Sequence, residues 1–394
     1  MTNIWCPYYS RTEDAAVVHA RDLDLPPNFI ASDYKQTENI DLHFQAENNE
    51  IIDCYDIYRQ PSLNHPLLHN HRIQVKPNSY PKEMKPNNFG TLQLTQTWHQ
   101  YGSCPEGTIP IRRKGKNYDP TVLRKQNYPN LSYNKTLNTW GGDLSEHEYA
   151  VIEVNGHFLG ANAKINIWKP VTETPTEMSI SQIWLTAGEN EVKNSVETGW
   201  MVSQHIYGDD QPRFFIYWTM DGYKNSGCFN LLCDGFVQTT SDFCLGGSFT
   251  EVSTFNGNQK DANFSIHKDQ IGGQWWVQIQ GNPIGYYPSS LFTELSMTST
   301  KVHFGGEITN HKSKGRHTST QMGSGHFPSE GRLKKSSYFN CVQVVDENNV
   351  TKDPENVETR VPNPNCYGLE IDNNHHNTNG YGFYYGGPGY NAKC

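Results

Sequence analysis

The sequence predicts an all-β protein, an antiparallel β-sandwich preceded by a smaller N-terminal domain. Three observations carry that expectation. Aromatics make up 12% of the 394 residues and charged residues only 19%, while 33 Gly and 22 Pro punctuate the chain, a balance that favours strands and turns. From residue 147 onward, strand-like runs follow one another at the spacing of a sandwich or barrel. No comparable helical periodicity interrupts them.

Taken in order, residues 1–45 have little periodicity and read as a loose leader. Their start, "MTNIWCPYYSRTEDA", has neither a basic n-region nor an apolar h-region, so no signal peptide is read there. Residues 46–139 read as a separate unit with its linker. There, from "IIDCYDIYRQPSLNHPLLHNHRIQVKP" to "GSCPEGTIPIRR", short apolar stretches alternate with proline-rich turns. A basic cluster closes it (Arg112, Arg113, Lys114, Lys116), and the polar, Asn-rich stretch 117–145 is the linker candidate. Residues 140–394 carry the runs "HEYAVIEV", "AKINIWKP", "MSISQIWLTAG", "SVETGWMVS", "RFFIYWTMDGY", "GCFNLLCDGFVQ", "GGQWWVQIQGNPIGYYP" and "KVHFGGEI", the strands of one domain.

Charge is divided unevenly between these parts. Residues 1–139 hold 15 Lys and Arg against 14 Asp and Glu, which leaves 17 against 27 for residues 140–394. An acidic main body argues against nucleic acid as a partner. No run approaches the ~20 apolar residues of a membrane span, and no membrane partner is expected. Pairing between the basic cluster and carboxylates of the acidic body is the expected way to hold the two parts together.

The chemistry-bearing candidates are two glutamates. "VETGW" places Glu197, and "FGGEI" places Glu307, beside glycine inside apolar strands. Alternation puts Glu197 on one face with Gly199 and Met201, opposite Val196, Thr198, Trp200 and Val202. Glu307 likewise shares a face with Gly305 and His303, opposite Val302, Phe304 and Ile308. The missing side chains leave room for another backbone to come close, such as an extended peptide; the plain alternative is a solvent-facing glutamate. Gln182 in "MSISQIWL" is a further polar candidate. Tyr217, Trp275 and Tyr287 are candidates for an aromatic groove that takes a proline ring or a sugar, with core packing as the alternative. His65, His69 and His71 lie close in sequence, but Pro66 opposes a helix that would align them and no carboxylate or Cys completes a metal set. No metal or cofactor is expected. Nucleophile elbow, P-loop and dinucleotide fingerprints are absent. Sequons at Asn130, Asn134, Asn263 and Asn349, with nine scattered cysteines, lean toward a secretory route.

From about residue 45 on, the chain resembles the plant neprosin family, prolyl endopeptidases of the glutamic type. The activation-peptide part of the resemblance rests on "DCYDIYRQPSLNHPLLHNH" and "GSCPEGTIPIRR". The catalytic part rests on "HEYAVIEV", "SQIWL", "VETGW", "YWTMDGYKNSGCFNLLCDGFVQ", "GGQWWVQIQGNPIGYYPSSLF" and "VHFGGEI" in that order. It implies a zymogen secreted or delivered to a vacuole, with a propeptide as internal partner and proline-containing peptides as substrates. It implies a catalytic dyad at Glu197 and Glu307, and disulfides Cys54–Cys104, Cys228–Cys233 and Cys366–Cys394. Cys6, Cys244 and Cys341 receive no partner from it. Two carboxyls on one site can hold a single proton, one acting as base on water and the other as acid, with Gln182 positioning water or oxyanion. Such a pair works best in acid. The rival reading is a non-catalytic β-sandwich that binds glycans or serves in the cell wall.

Overall fold

The computed structural model describes residues 40–46, 50–82, 84, 95–113, 146–224, 226–312, 314–373 and 380–394. Most of the predicted leader and the linker lie outside the described residues, as do the sequons Asn130 and Asn134, the bases Lys114 and Lys116, and Cys6. Near the N-terminus, β1 (Ile40–Gln45), β2 (Ile51–Asp56) and β3 (Thr108–Arg112) form a small antiparallel sheet in that order. Cys54 on β2 is bonded to Cys104, which ties the sheet to the segment before β3.

The main body holds β4 (Glu146–Asn166), β5 (Met178–Ala187), β6 (Asn194–Ser203), β7 (Arg213–Thr219), β8 (Cys228–Phe229), β9 (Val237–Gln238), β10 (Asp261–Lys268), β11 (Trp275–Ile279), β12 (Asn282–Tyr287) and β13 (Ser299–Asn310). After them come β14 (Ser337–Asp346), β15 (Thr351–Lys352), β16 (Glu358–Arg360), β17 (Gly368–Ile371) and β18 (Phe383–Gly386). All the pairings between these strands are antiparallel, as the sequence predicts for a sandwich. β4 is shared by both layers. Its first part pairs with β13 and its second part with β10. Folding over at β4 gives one layer in the order β8-β7-β6-β5-β13-β4 and a second in the order β4-β10-β11-β12-β9.

Alternation in the strands builds the core between these layers. Val196, Trp200 and Val202 of β6, Phe214, Ile216 and Trp218 of β7, and Val302, Phe304 and Ile308 of β13 meet Phe264, Ile266, Trp275 and Val277 of the second layer. Full burial of each large apolar side chain contributes about 1.5–3 kcal/mol. Cys366 is bonded to Cys394 next to this core, and Cys228 to Cys233 beyond β7. The three described disulfides are those the resemblance implies. Cys341 is also disulfide-bonded, whereas Cys244 is a buried free thiol.

The N-terminal part docks on the main body through amides and carbonyls. Fully buried Gln96 donates from Nε2 to the carbonyls of Cys244 and Gly247, at 2.8 and 3.2 Å, while its Oε1 accepts from the Cys244 N–H at 2.7 Å. Gln60 caps Gln238 the same way, donating to its carbonyl at 3.0 Å and accepting from its N–H at 2.9 Å. Asp269 accepts from Gln74, the Asn78 N–H and Ser79, donors that hold its carboxyl down at about 2 although burial pushes the other way. Of the closely spaced histidines, His71 hydrogen-bonds the main body at the Tyr286 hydroxyl (2.6 Å), and His65 caps a turn of its own unit, its Nδ1 accepting from the Leu67 N–H.

The expected charge pairing is corrected by the structure. Arg112 and Arg113 pair with Glu50 and Asp53, carboxylates of their own N-terminal unit. The ion pair across the boundary runs the other way. Glu50 reaches Arg213 of β7 at 2.5 Å, both side chains being nearly fully buried. β3 and the residue after it lie beside β2 and the residue before it, so Arg112 and Arg113 meet Glu50 and Asp53 first. Replacing Arg213 with Met leaves Glu50 with Arg112 alone and removes the partner of Asp209. Breaking a buried pair costs about 3–5 kcal/mol, so Arg213→Met should lower the melting temperature and loosen the N-terminal unit. Calorimetry that finds wild-type melting in Arg213→Met would contradict this docking role.

Candidate active site

Strand register, more than sequence distance, brings the two glutamates onto one face. Glu197 of β6 lies opposite Trp184 of β5, while Glu307 of β13 lies opposite Ile180 of the same strand. Gln182 lies between them on β5, opposite Gly199 on one side and Gly305 on the other. Side chains at every second position share this face, which adds Tyr217 from β7, Ser195 from β6, His303 from β13 and Tyr149 with His147 from β4.

The face is not open to solvent. β5 and β6 are buried over their whole length. Met178, Ile180, Met201, Phe215 and Tyr217 on the outer side pack with Tyr223 and Phe229 of the segment beyond β7. Glu197 is 4% exposed and Glu307 2%, which sets aside the plain reading of a solvent-facing glutamate. The structure brings Glu197, Glu307, Gln182 and Tyr217 together.

Each carboxyl has its own partners. Glu197 Oε1 accepts from Ser195 Oγ at 2.6 Å and from the Tyr223 hydroxyl at 2.9 Å, leaving Oε2 for a proton. Burial raises its pKa to about 8, against the donors Ser195 and Tyr223, with the charge of Glu307 adding to the rise. Glu307 Oε2 accepts from Gln182 Nε2 at 2.8 Å, and Oε1 lies 2.5 Å from His147 Nδ1. Tyr149 also hydrogen-bonds Glu307, and burial together with both glutamates pushes its hydroxyl pKa up. The two carboxyls thus sense each other through space, and their hydrogen bonds go to separate groups.

Sequence reasoning missed four of these partners. Ser195 and the pair His147 and Tyr149 were within reach of it, since each shares a strand face with a residue of the site. Tyr223 gave no signal, because it comes from a turn and holds a backbone φ of 66°, a conformation that bulky residues rarely adopt.

Three expectations are corrected here. Trp275 and Tyr287 are fully buried and belong to the core between the layers. The Trp275 indole donates to the Leu295 carbonyl at 2.8 Å, and Tyr287 packs edge-on against Phe236 at 4.9 Å. Both alternate inward because Trp276 and Tyr286 take the outer face under the N-terminal unit. The glycines beside the glutamates make room for neighbouring strands. A Cβ at Gly199 would stand 2.0 Å from the Ser181 carbonyl oxygen, and one at Gly305 2.3 Å from that of Ala150. Asn263 is buried in β10 between β4 and β11, which leaves no room for a glycan. Asn349 is half-buried and donates to the Tyr80 carbonyl.

A cavity of about 350 Å³ lies elsewhere, between the N-terminal unit and the main body, lined by Tyr55, Arg113, Tyr207 and Leu232 among others. Neither glutamate lines it, and the chemistry follows the buried carboxyls. Among the described residues one cluster has metal-ligand proximity, His317 with Cys366 and Cys394, but its two sulfurs are bonded to each other.

A β-sandwich with a buried carboxyl pair and a separate N-terminal unit docked on it defines a precursor class of protein. The chain belongs to the neprosin family: the neprosin domain matches residues 175–388, and the neprosin activation peptide matches residues 43–153. The activation-peptide match precedes the domain match along the chain, the order of a precursor. Among solved structures, scytalido-glutamic peptidase with a transition state analog inhibitor is similar over 61% of this chain and 98% of that chain, at 10% identity and a TM-score of 0.34. SCP-B, a member of the eqolisin family of peptidases in complex with the tripeptide Ala-Ile-His, is similar over 61% and 97%, at 9% identity and a TM-score of 0.31. CG-16, a homodimeric agglutinin from chicken liver, covers 42% of this chain and 93% of its own, at 10% identity and a TM-score of 0.21. Similarity of this degree assigns no residue and no activity.

Gly199→Ala should destabilise the fold by about 1–3 kcal/mol, the usual cost of forcing extra volume into a packed site. The reading is the shift of the denaturation midpoint; no shift would mean that β5 and β6 have slack beside Glu197.

Proposed function

We propose that the chain is the precursor of an acid-acting endopeptidase that cleaves peptides after proline, with Glu197 and Glu307 as its acid and base. The observation that carries this reading is the unlike surroundings of two carboxyls on one buried face. Glu197 holds a proton to about pH 8 because burial disfavours its charge. Glu307 accepts from Gln182 at 2.8 Å and is hydrogen-bonded by Tyr149. Unlike surroundings of this kind suit one carboxyl to act as acid and the other as base.

In the proposed reaction Glu307 takes a proton from a water whose oxygen attacks the scissile carbonyl carbon. Glu197 donates its proton toward the carbonyl oxygen as that oxygen gains charge. The tetrahedral intermediate then collapses: the C=O bond re-forms as the proton on its oxygen returns to Glu197, the C–N bond breaks, and the proton held by Glu307 passes to the leaving nitrogen. Gln182, donating to Glu307 Oε2, fixes that carboxylate toward the water. Opening the face for a substrate lets water in and lowers the Glu197 pKa, which moves the working range toward acid. Proline suits such an enzyme because its ring is rigid and lacks an N–H; of the three aromatic candidates only Tyr217 is on the right face to meet it. Three disulfides fit an oxidising compartment, secreted or vacuolar. The glycan-binding alternative loses its aromatic wall, since Trp275 and Tyr287 lie in the core.

The test is digestion of proline-containing peptides by acid-treated protein, read by product mass. Cleavage on the carboxyl side of proline is expected, with Glu197→Gln and Glu307→Gln each at least ~100-fold slower, the scale of a lost acid/base group. Products spread over many residue types would refute the specificity, and near-normal turnover by either variant would refute the dyad.

Acid release of the activation peptide follows from histidines at its contact with the main body, the buried His267 of β10 and the half-buried His65 and His71 of the peptide. His267, under the stacked ring of Tyr80, is held down to about 4 by burial, with Asp269 opposing; His71 and His65 are also lowered by burial. A depressed histidine binds its proton more readily once undocked, so docking is strongest above ~6.5 and weakens as pH falls toward about 4. Melting of the Glu307→Gln chain across that range should show falling stability with acid. His267→Phe, which keeps the stacking and removes the titration, should flatten the slope. An unchanged slope would assign the acid response to other groups.

A further inference from the structure

The second layer turns its outer face away from the glutamates, and the side chains there fall into two rows that cross the strands. Register sets His267 of β10 beside Trp276 of β11, and Trp276 beside Tyr286 of β12. Two residues along, Asn162 of β4 stands beside Ser265 of β10, and Ser265 beside Gln278 of β11. Both rows point outward, because the alternate residues Phe264, Ile266, Trp275 and Val277 fill the core.

In the precursor the N-terminal unit roofs the first row. Tyr80 stacks on the His267 ring at 5.5 Å, Leu68 packs with Trp276 and Tyr286, and His71 holds the Tyr286 hydroxyl. That roof is a poor chemical match. His267 and Trp276 are 0% exposed and Gln278 is 2% exposed. Yet both ring nitrogens of His267, the Trp276 indole N–H and the Gln278 amide nitrogen have no hydrogen-bond partner. Ser265 donates to Gln278 Oε1 at 3.3 Å, which uses the oxygen of that amide and leaves its nitrogen over. Unpaired buried polar groups are costly, whereas apolar side chains in their place would cost little.

Three neighbouring groups that bear this cost describe a surface made for a different ligand, met once the peptide has left. Neither row contains an Asp, Glu, Lys or Arg, so the ligand is uncharged. Backbone pairing on both sides of β10 and β11 leaves no edge for an added strand, so the ligand lies flat on side chains. Aromatic rings beside amides and a hydroxyl suit a sugar, which has an apolar C–H face and a rim of hydroxyls that donate and accept. The Trp276 and Tyr286 rings stand 4.7 Å apart. Across three strands the row spans roughly 10 Å at ~4.8 Å per strand, room for about two linked sugars. We propose that the mature domain carries a binding face for a neutral polysaccharide on the far side of the sandwich from its glutamates. His267, Trp276 and Tyr286 stack on the sugar rings, and Asn162, Ser265 and Gln278 bond their hydroxyls. The proposal rests on the precursor reading, since the face stays covered until the activation peptide leaves.

The experiment titrates cello-, xylo- and manno-oligosaccharides into the protein by calorimetry, with retention on microcrystalline cellulose measured alongside. The intact precursor is compared with two opened forms. One is acid-processed wild type; the other is a precursor carrying Leu68→Asp and Tyr80→Asp, which uncovers the row without any cleavage. Both opened forms should bind at least one of the oligosaccharides about tenfold or more tighter than the intact precursor, independently of salt. Introduced into either opened form, Trp276→Ala and Gln278→Leu should each weaken binding about tenfold, the scale of one lost stacking or hydrogen-bonding contact. Thermal melting of each variant separates loss of the face from loss of the fold. Where Trp276→Ala does not fold, Gln278→Leu, which nearly keeps the side-chain volume, decides. Binding by the double variant with no acid processing of the wild type would fail the peptidase reading and keep the face. No binding of any probe by either opened form, binding abolished by salt, or binding that survives both substitutions would overturn it. Dimerisation of the opened chain through Trp276, in place of sugar binding, would assign the face to a second copy and overturn the polysaccharide.

Discussion

Both faces of the layer that carries β5 and β6 are buried, and the chemistry of the molecule follows from that constraint. A strand covered on one side can turn its polar residues to water. Here the outer residues must find partners among themselves, because water does not reach them. Ser195 and Tyr223 serve Glu197, while Gln182, His147 and Tyr149 serve Glu307. The pairing is incomplete by design of the sheet, since each strand offers only alternate positions.

The docking of the N-terminal unit obeys a related rule. Its contacts are mostly buried amide-to-backbone bonds, made by Gln60 and Gln96, which are indifferent to pH and salt. Charge enters at a few points only, chiefly Glu50 with Arg213 and Asp269 with the backbone around Asn78. Net charge of a segment is thus a poor guide to where its bonds go. Arg112 and Arg113 are the example, because β2 and the residue just before it supplied their acids first.

Alternation in the sequence was enough to read the all-β class, the inward set Val196, Trp200 and Val202, and the face shared by Glu197, Gln182 and Glu307. These are local properties with period two. What stayed hidden depended on pairing between distant strands. Gly199 and Gly305 looked like room for a ligand, and only the register shows that Ser181 and Ala150 fill it. Trp275 and Tyr287 could have faced either way, since Trp276 and Tyr286 offer the same chemistry one residue along. Which pair faced the core depended on what covered the other, here Leu68 and its neighbours from the N-terminal unit.

The free cysteine of the main body sits at the boundary between the two parts. Cys244 is fully buried, packed with Ala46, Ile52 and Trp98 of the N-terminal unit, and Gln96 grips its backbone on both sides. Burial also raises its thiol pKa, which keeps it in the unreactive protonated form. While the two parts stay together the sulfur is chemically silent. Once they separate, the lid of Trp98 and Ile52 is gone and an ordinary thiol faces solvent. The precursor thereby contains its own label for maturation, a single atom whose susceptibility to alkylation records whether the activation peptide is still in place.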